Sequence, residues 1–415
     1  MIRRAPGIRL KWVAMHINED HSKVRVLKFL LCLLFTLIVV FFIVQVSLSS
    51  SNEYKASANE NLEAKGSEQT QAEQGSFRAA LERLAALDIK KLSPSWELSV
   101  SGEVFMADEG DYLYLTGTSG RVMAVKASSG STQWSLDLGV WVSAPPTVQS
   151  GVVYVGATNH VLYALDAGSG ALLWYYTCQG EILAEPVVSD GSVFVCADNN
   201  SVYNLSHRLY ALDARSGTLK WTYDTDSWTP SPPAVTQDAV YLGGYHREVY
   251  ALDKLTGRKL WSFAAPNIVL SSPQVASGQI VFTCVDGWVY ALDAASGSQQ
   301  WSVKLPGFIS LGPSDGDGNL YVCSSKSTLV ALSLAKGDKL WSFEDKSFLS
   351  CSPDPVSGNI FAFDSNGKTY SLSISNGEPQ RLLIAPHDFA KPPLVKGGYI
   401  YGSSSDGFVR AYPIP

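Results

Sequence analysis

From residue 92 onward, apolar and polar positions alternate in short runs, such as VVYVGA at 152–157, VFVCAD at 193–198 and IVFTCV at 280–285. Gly, Asp, Ser and Pro break the runs about every 8–12 residues, the spacing of short strands joined by tight turns. No segment after Lys91 keeps a period of 3.6, so this part of the chain is predicted to be all-β. Upstream the pattern changes three times. Residues 29–52 carry no charge, and Phe29–Val46 is almost wholly apolar. At about 1.5 Å per residue such a stretch spans about 30 Å as a helix, the thickness of a bilayer core. Residues 51–76 are polar, as in a solvated tether. FRAALERLAALDIKK at 77–91 then spaces Phe77, Ala80, Leu81 and Leu84 as one face of a short amphipathic helix.

The strand-rich part is repetitive. Thirteen residues recur with little change: LYALDAGSGALLW at 162–174, LYALDARSGTLKW at 209–221, VYALDKLTGRKLW at 249–261 and VYALDAASGSQQW at 289–301. The glycine of this string recurs at 130, 170, 217, 257, 297, 337 and 377, at intervals of 40 except for one of 47. Extra residues around 198–208 explain the long interval. A fixed period near 40 with four short strands per unit is the signature of propeller blades. Val, Tyr and Leu suit strands buried between blades, Asp suits acceptance of turn amides, Gly suits a positive-φ position, and Trp offers a large apolar face. Third strands begin near 122, 162, 209, 249, 289, 329, 369 and 408, so eight blades are expected. The last lacks its fourth strand, and PSWELSV at 94–100, with Trp96, is positioned to supply it and close the ring.

These residues resemble the tryptophan-docking motif of the pyrroloquinoline-quinone (PQQ)-like repeat family. Full matches are Ala164, Asp166, Gly170 and Trp174; Ala211, Asp213, Gly217 and Trp221; Ala251, Asp253, Gly257 and Trp261; and Ala291, Asp293, Gly297 and Trp301. Two further units place Lys126 and Ser333 at the Asp position, and a seventh has Ser371 for Ala and Arg381 for Trp. Catalytic members of the family imply a vicinal disulfide, a Ca²⁺ site, a catalytic Asp and often a CxxCH haem motif. The chain has no adjacent cysteines and no CxxCH. The resemblance is therefore to the non-catalytic, BamB-like branch, which implies a protein-binding scaffold without cofactor. A PQQ-dependent oxidoreductase with a simplified site is the alternative. Cys196, Cys284 and Cys323 are read as small fillers at equivalent ends of second strands.

Charge refines the picture. Residues 1–28 hold seven Lys/Arg against two acids, a net +5, so the rest of a −6 chain sits near −11. An acidic bulk argues against nucleic-acid partners. A basic N-terminal flank predicts that residues 1–28 stay in the cytoplasm, that 29–50 form an uncleaved signal-anchor in the inner membrane, and that the propeller (91–415), after a linker over 51–90, lies in the periplasm or outside. The expected partners are other envelope or membrane proteins, with the lipid bilayer contacted through 29–50. On one face, the residue seven past each Trp gives Trp141, Glu181, Trp228, Ile268, Phe308 and Phe348, while the loops between second and third strands add Arg208, His246, Arg247 and Trp288. Trp141, Trp228, Trp288, Phe308, Phe348, Arg208, His246 and Arg247 are the partner-binding candidates, since aromatics and Arg dominate interface hot spots. His160, His207 and His246 are read as solvated loop histidines rather than metal ligands.

Overall fold

The computed structural model describes residues 88–415 apart from 202–203, 226–227, 230, 308, 310–312, 326–327, 346–349 and 355–357. The expected basic tail, membrane anchor and polar tether lie outside the described residues, as do 77–87 of the expected helix.

Eight antiparallel sheets form the predicted blades. Blade 1 comprises Val104–Glu109, Tyr112–Gly117, Arg121–Lys126 and Thr132–Asp137, from the innermost strand outward. Blades 2 to 7 follow at 147–177, 187–225, 234–264, 274–304, 314–344 and 350–384. Blade 8 takes its first three strands from 394–413 and its outer strand from β2 (Trp96–Ser99), which pairs antiparallel with Phe408–Pro413. Arg410 fastens this closure. It is only 3% exposed, faces Glu97 across the pair at 3.2 Å, and makes a bidentate contact of 2.9 and 2.7 Å with Asp406. Burying a guanidinium is tolerable only with such partners.

The recurrent string shows its purpose between blades. In each of seven junctions a Trp lays its indole on the glycine of the next blade's turn, starting with Trp96 on Gly130 and ending with Trp341 on Gly377. Each indole N–H donates to the carbonyl three residues before that glycine. The acceptors are Ala127, Ala167, Ala214, Lys254, Ala294, Leu334 and Ile374, at 2.8–3.1 Å. A Cβ on Gly337 would sit 2.5 Å from Trp301 Cε3, and its φ of +72° is unfavourable for other residues. The motif aspartates act within the turn: Asp166 Oδ1 accepts the Ser169 N–H and hydroxyl at 2.8 and 2.6 Å, and Asp213, Asp253 and Asp293 repeat the contact. Blades with Lys126 or Ser333 form the same backbone turn, so the Asp supports the turn but is not required for it.

The eighth junction differs. Blade 8 ends without a third-to-fourth turn, and Arg381 replaces Trp and hydrogen-bonds the Pro415 carbonyl. Here DIKK, the end of the stretch read as helical, is instead strand β1 (Asp88–Lys91). It pairs in parallel with Pro379–Ile384 and gives blade 7 a fifth strand. The Leu92 N–H continues the pairing to the Ile384 carbonyl at 2.8 Å, and its side chain is buried with Leu383, Phe389 and Tyr412. The strand has prevailed over local helical spacing because an open sheet edge supplies backbone partners at this position.

Trp301→Ala is expected to cost about 3–5 kcal/mol, the range for deleting a buried indole, and Gly337→Ala should also destabilise by forcing that indole out of place. Urea unfolding of both variants checks this; wild-type midpoints would refute the docking role.

Candidate functional site

The loops between fourth and first strands and those between second and third strands share one face. They are tied together by their backbones. Thr158 N–H donates to the Trp141 carbonyl at 3.0 Å, Asp198 to Glu181 at 2.9 Å, Tyr245 to Trp228 at 3.2 Å and Val285 to Ile268 at 3.0 Å. At these four junctions the position seven past the Trp is thus structural through its carbonyl, while its side chain varies. The buried position is the next one: Val142, Ile182, Thr229, Val269, Ile309 and Phe389 are each at most 2% exposed. Ile182 packs on Gly156 and Val269 on Gly243, where any Cβ would collide. The sequence signal that could have revealed this is the unbroken run of small or apolar residues at that position.

The predicted candidates are not one constellation. Trp141 is 40% exposed. Trp228 is half-buried and stacks on Tyr245, with ring centroids 5.0 Å apart. Trp288 sits farther out, at the start of the third strand of blade 5, with Lys304 5.6 Å above its ring. Phe308 and Phe348 lie outside the described residues. Thr283, and not Cys284, pairs with Val289 at the end of the blade 5 second strand, so Cys284 is not at the position of Cys196 and Cys323. Cys178, Cys196, Cys284 and Cys323 are free thiols.

The residues around 198–208 are no loop. They lengthen the middle hairpin of blade 3, whose strands Ser192–Ser201 and Asn204–Asp213 run ten residues each in unbroken register. His207 is accordingly not a solvated loop histidine. Its Nδ1 lies 2.8 Å from Asp198 Oδ1, and Asp198 is only 2% exposed. Burial pushes the Asp198 carboxyl up to about 6, against the pull of His207. Arg208 beside it pairs with Asp224 and donates to Gln179 Oε1 at 2.9 Å.

On this face two blades, 2 and 4, hold a non-glycine residue left-handed. The residue before the third strand is left-handed, and blades 1, 5, 7 and 8 use Gly120, Gly287, Gly367 and Gly407 there. Blades 2 and 4 use His160, at φ +71°, and the candidate Arg247, at φ +63°. A non-glycine residue held in this region costs on the order of 1 kcal/mol. His246 and Arg247 are exposed.

At the entry to the innermost strands, the position eleven past each Trp is Pro145, Pro232 or Ser272 in other blades, but Glu185 after Trp174. The Glu185 Oε1 lies 3.3 Å from Thr147 Oγ1, which also contacts the Pro186 carbonyl. The single hydroxyl hydrogen can serve only one acceptor, and a protonated Glu185 satisfies both contacts. Burial pushes Glu185 from 4.5 up to about 7. Among the described residues no group of three or more His, Cys, Asp or Glu side chains is arranged to hold a metal ion.

A family model described as outer membrane protein assembly factor BamB matches residues 80–175, 118–227 and 206–413. The crystal structure of BamB from Moraxella catarrhalis is similar at 20% identity and a TM-score of 0.65, over 78% of this chain and 99% of that one. The computationally designed Ika8 protein aligns at 15% identity and a TM-score of 0.67, covering 76% of this chain and 98% of its own. Quinohemoprotein alcohol dehydrogenase ADHIIG from Pseudomonas putida HK5 aligns at 14% identity and a TM-score of 0.63, covering 78% and 76%. These likenesses establish the fold. No curated protein sequence matches the chain.

Because the folded Glu185 holds its proton more tightly than the unfolded chain does, its contribution is neutral below about pH 4.5, becomes destabilising as pH rises towards 7, and is constant above that. Glu185→Gln should remove this dependence, so the variant gains stability over wild type at pH 8 and matches it at pH 4. Thermal midpoints at the two pH values check the difference; equal gains at both would refute a half-buried, raised carboxyl.

Proposed function

Since the chain belongs to the family of outer membrane protein assembly factor BamB, matched over residues 80–413, we propose that it is a membrane-anchored, exported β-propeller that holds other envelope proteins. In this reading residues 1–28 stay in the cytoplasm, 29–50 anchor the chain in the inner membrane, and the propeller works in the periplasm. The observation that carries the reading is where the blades depart from their own repeat. Exposed Trp141, strained His160, the lengthened hairpin with Arg208, the Trp228–Tyr245 stack and strained Arg247 all fall on one face, on or beside blades 2 to 4. Strain is retained in a fold only where something else is gained, and binding surfaces are where it collects. Aromatic and arginine anchors are the residues from which protein interfaces draw most of their energy. The oxidoreductase alternative has the shared fold in its favour, while the sequence has neither the adjacent cysteines nor the CxxCH motif of catalytic members.

Two outcomes are expected. A Trp141→Ser/Arg247→Gly variant should lose its co-purifying envelope proteins while its thermal midpoint stays level or rises, because glycine relieves the left-handed backbone at 247. Undiminished co-purification would remove the assignment of this face. Purified protein given pyrroloquinoline quinone and Ca²⁺ should show neither bound-quinone absorbance nor dye reduction; either signal would favour the oxidoreductase.

A further inference from the structure

The opposite side of the ring, formed by the turns between third and fourth strands, has its own departure from the repeat. In blades 1, 5 and 7 the first two residues of the fourth strand are Thr132 and Gln133, Gln299 and Gln300, and Pro379 and Gln380. In blades 2, 3 and 4 they are Leu172 and Leu173, Leu219 and Lys220, and Lys259 and Leu260, while blade 6 has Lys339 and Leu340. All four leucines of blades 2 to 4 are exposed, as is Tyr175 farther along. Leu255, at the tip of the blade 4 turn, is 85% exposed, and other blades place Ser128, Gly168 or Ala295 there. Exposed leucines thus form an apolar belt on three consecutive blades, with Leu340 exposed once more in blade 6, on a rim that is polar in blades 1, 5 and 7.

Arg215, Arg258 and Lys259 interleave with the belt and are exposed, while the exposed Lys220 is held by Asp213 and the Gly191 carbonyl. Three of the nearby acids are engaged within the fold. Asp253 binds its own turn at Thr256, Asp213 binds Ser216 and pairs with Lys220, and Asp190 pairs with the buried Lys254. Leucines and a tyrosine set among Lys and Arg are the composition of surfaces that enter the headgroup region of an anionic bilayer, the long basic side chains reaching up to the phosphates. The chain also enters the ring from this side. Strand β1 runs parallel to Pro379–Ile384, with Asp88 paired to Arg381 just past the third-to-fourth turn of blade 7. Blade 7 stands opposite blade 3 in an eight-membered ring, so entry point and belt lie across the same side from each other.

We propose that the third-to-fourth-turn side of blades 2 to 4 rests on an anionic lipid surface and turns the partner-binding face away from the membrane. The proposal rests on the reading of 29–50 as a membrane anchor. To test it, the full chain with photoreactive p-benzoylphenylalanine at Leu255, at Leu173 or, as control, at Gln300 on the equivalent rim of blade 5 is reconstituted into vesicles of phosphatidylcholine with or without phosphatidylglycerol. Lipid adducts are expected at 255 and 173 but not at 300, stronger with phosphatidylglycerol, and reduced about fivefold by Lys259→Gln. Lipid adducts equal at all three sites or absent from all would overturn the proposal. So would cross-linked dimers at 255, which would assign the belt to a second copy. Release of the chain from the vesicles by alkaline wash would overturn the anchor instead, and the adduct pattern still decides the belt.

Discussion

The structure depends on one contact made seven times: an indole lying on a glycine, with its N–H bonded to a carbonyl of the same turn. The glycine must lack a side chain because the ring occupies the space of its Cβ. The carbonyl must be accepted into the interface because a buried indole N–H without a partner would cost on the order of 1–3 kcal/mol. Both requirements are met within a single turn, so each of blades 1 to 7 carries a complete socket for its neighbour. In the closed ring all seven sockets are filled. Blade 8 has no such turn to offer Arg381, and there the chain adds β1 and buries Leu92 instead.

Because docking is handled by the turn and the fourth strand, the two ends of each blade are free to vary. On one end, the backbone of the fourth-to-first loop is bonded to the following blade and its next residue is buried, which leaves single side chains such as Trp141 projecting from a rigid frame. Blades 2 to 4 use this freedom most, with a hairpin of two ten-residue strands, an Asp198–His207 pair within it and two left-handed residues. The same three blades carry the apolar and basic rim on the other end.

Much of this fold was legible from residues alone. Strand alternation, the period of 40, turn chemistry and the pairing of an orphan N-terminal strand with an incomplete last blade are local or one-dimensional properties, and they determined the propeller, its eight blades and its closure. What tertiary structure decided are matters of direction and neighbourhood. The spacing that singled out Trp141 and Trp228 could not say that the following residue is the buried one, because a loop has no fixed periodicity to point its side chains. The residues near 198–208 extend strands because each strand supplies the other's backbone partners across the hairpin, which moves His207 from solvent to Asp198. DIKK became a strand because the outer edge of blade 7, nearly three hundred residues away in the chain, supplied the hydrogen bonds that a helix would have found within itself.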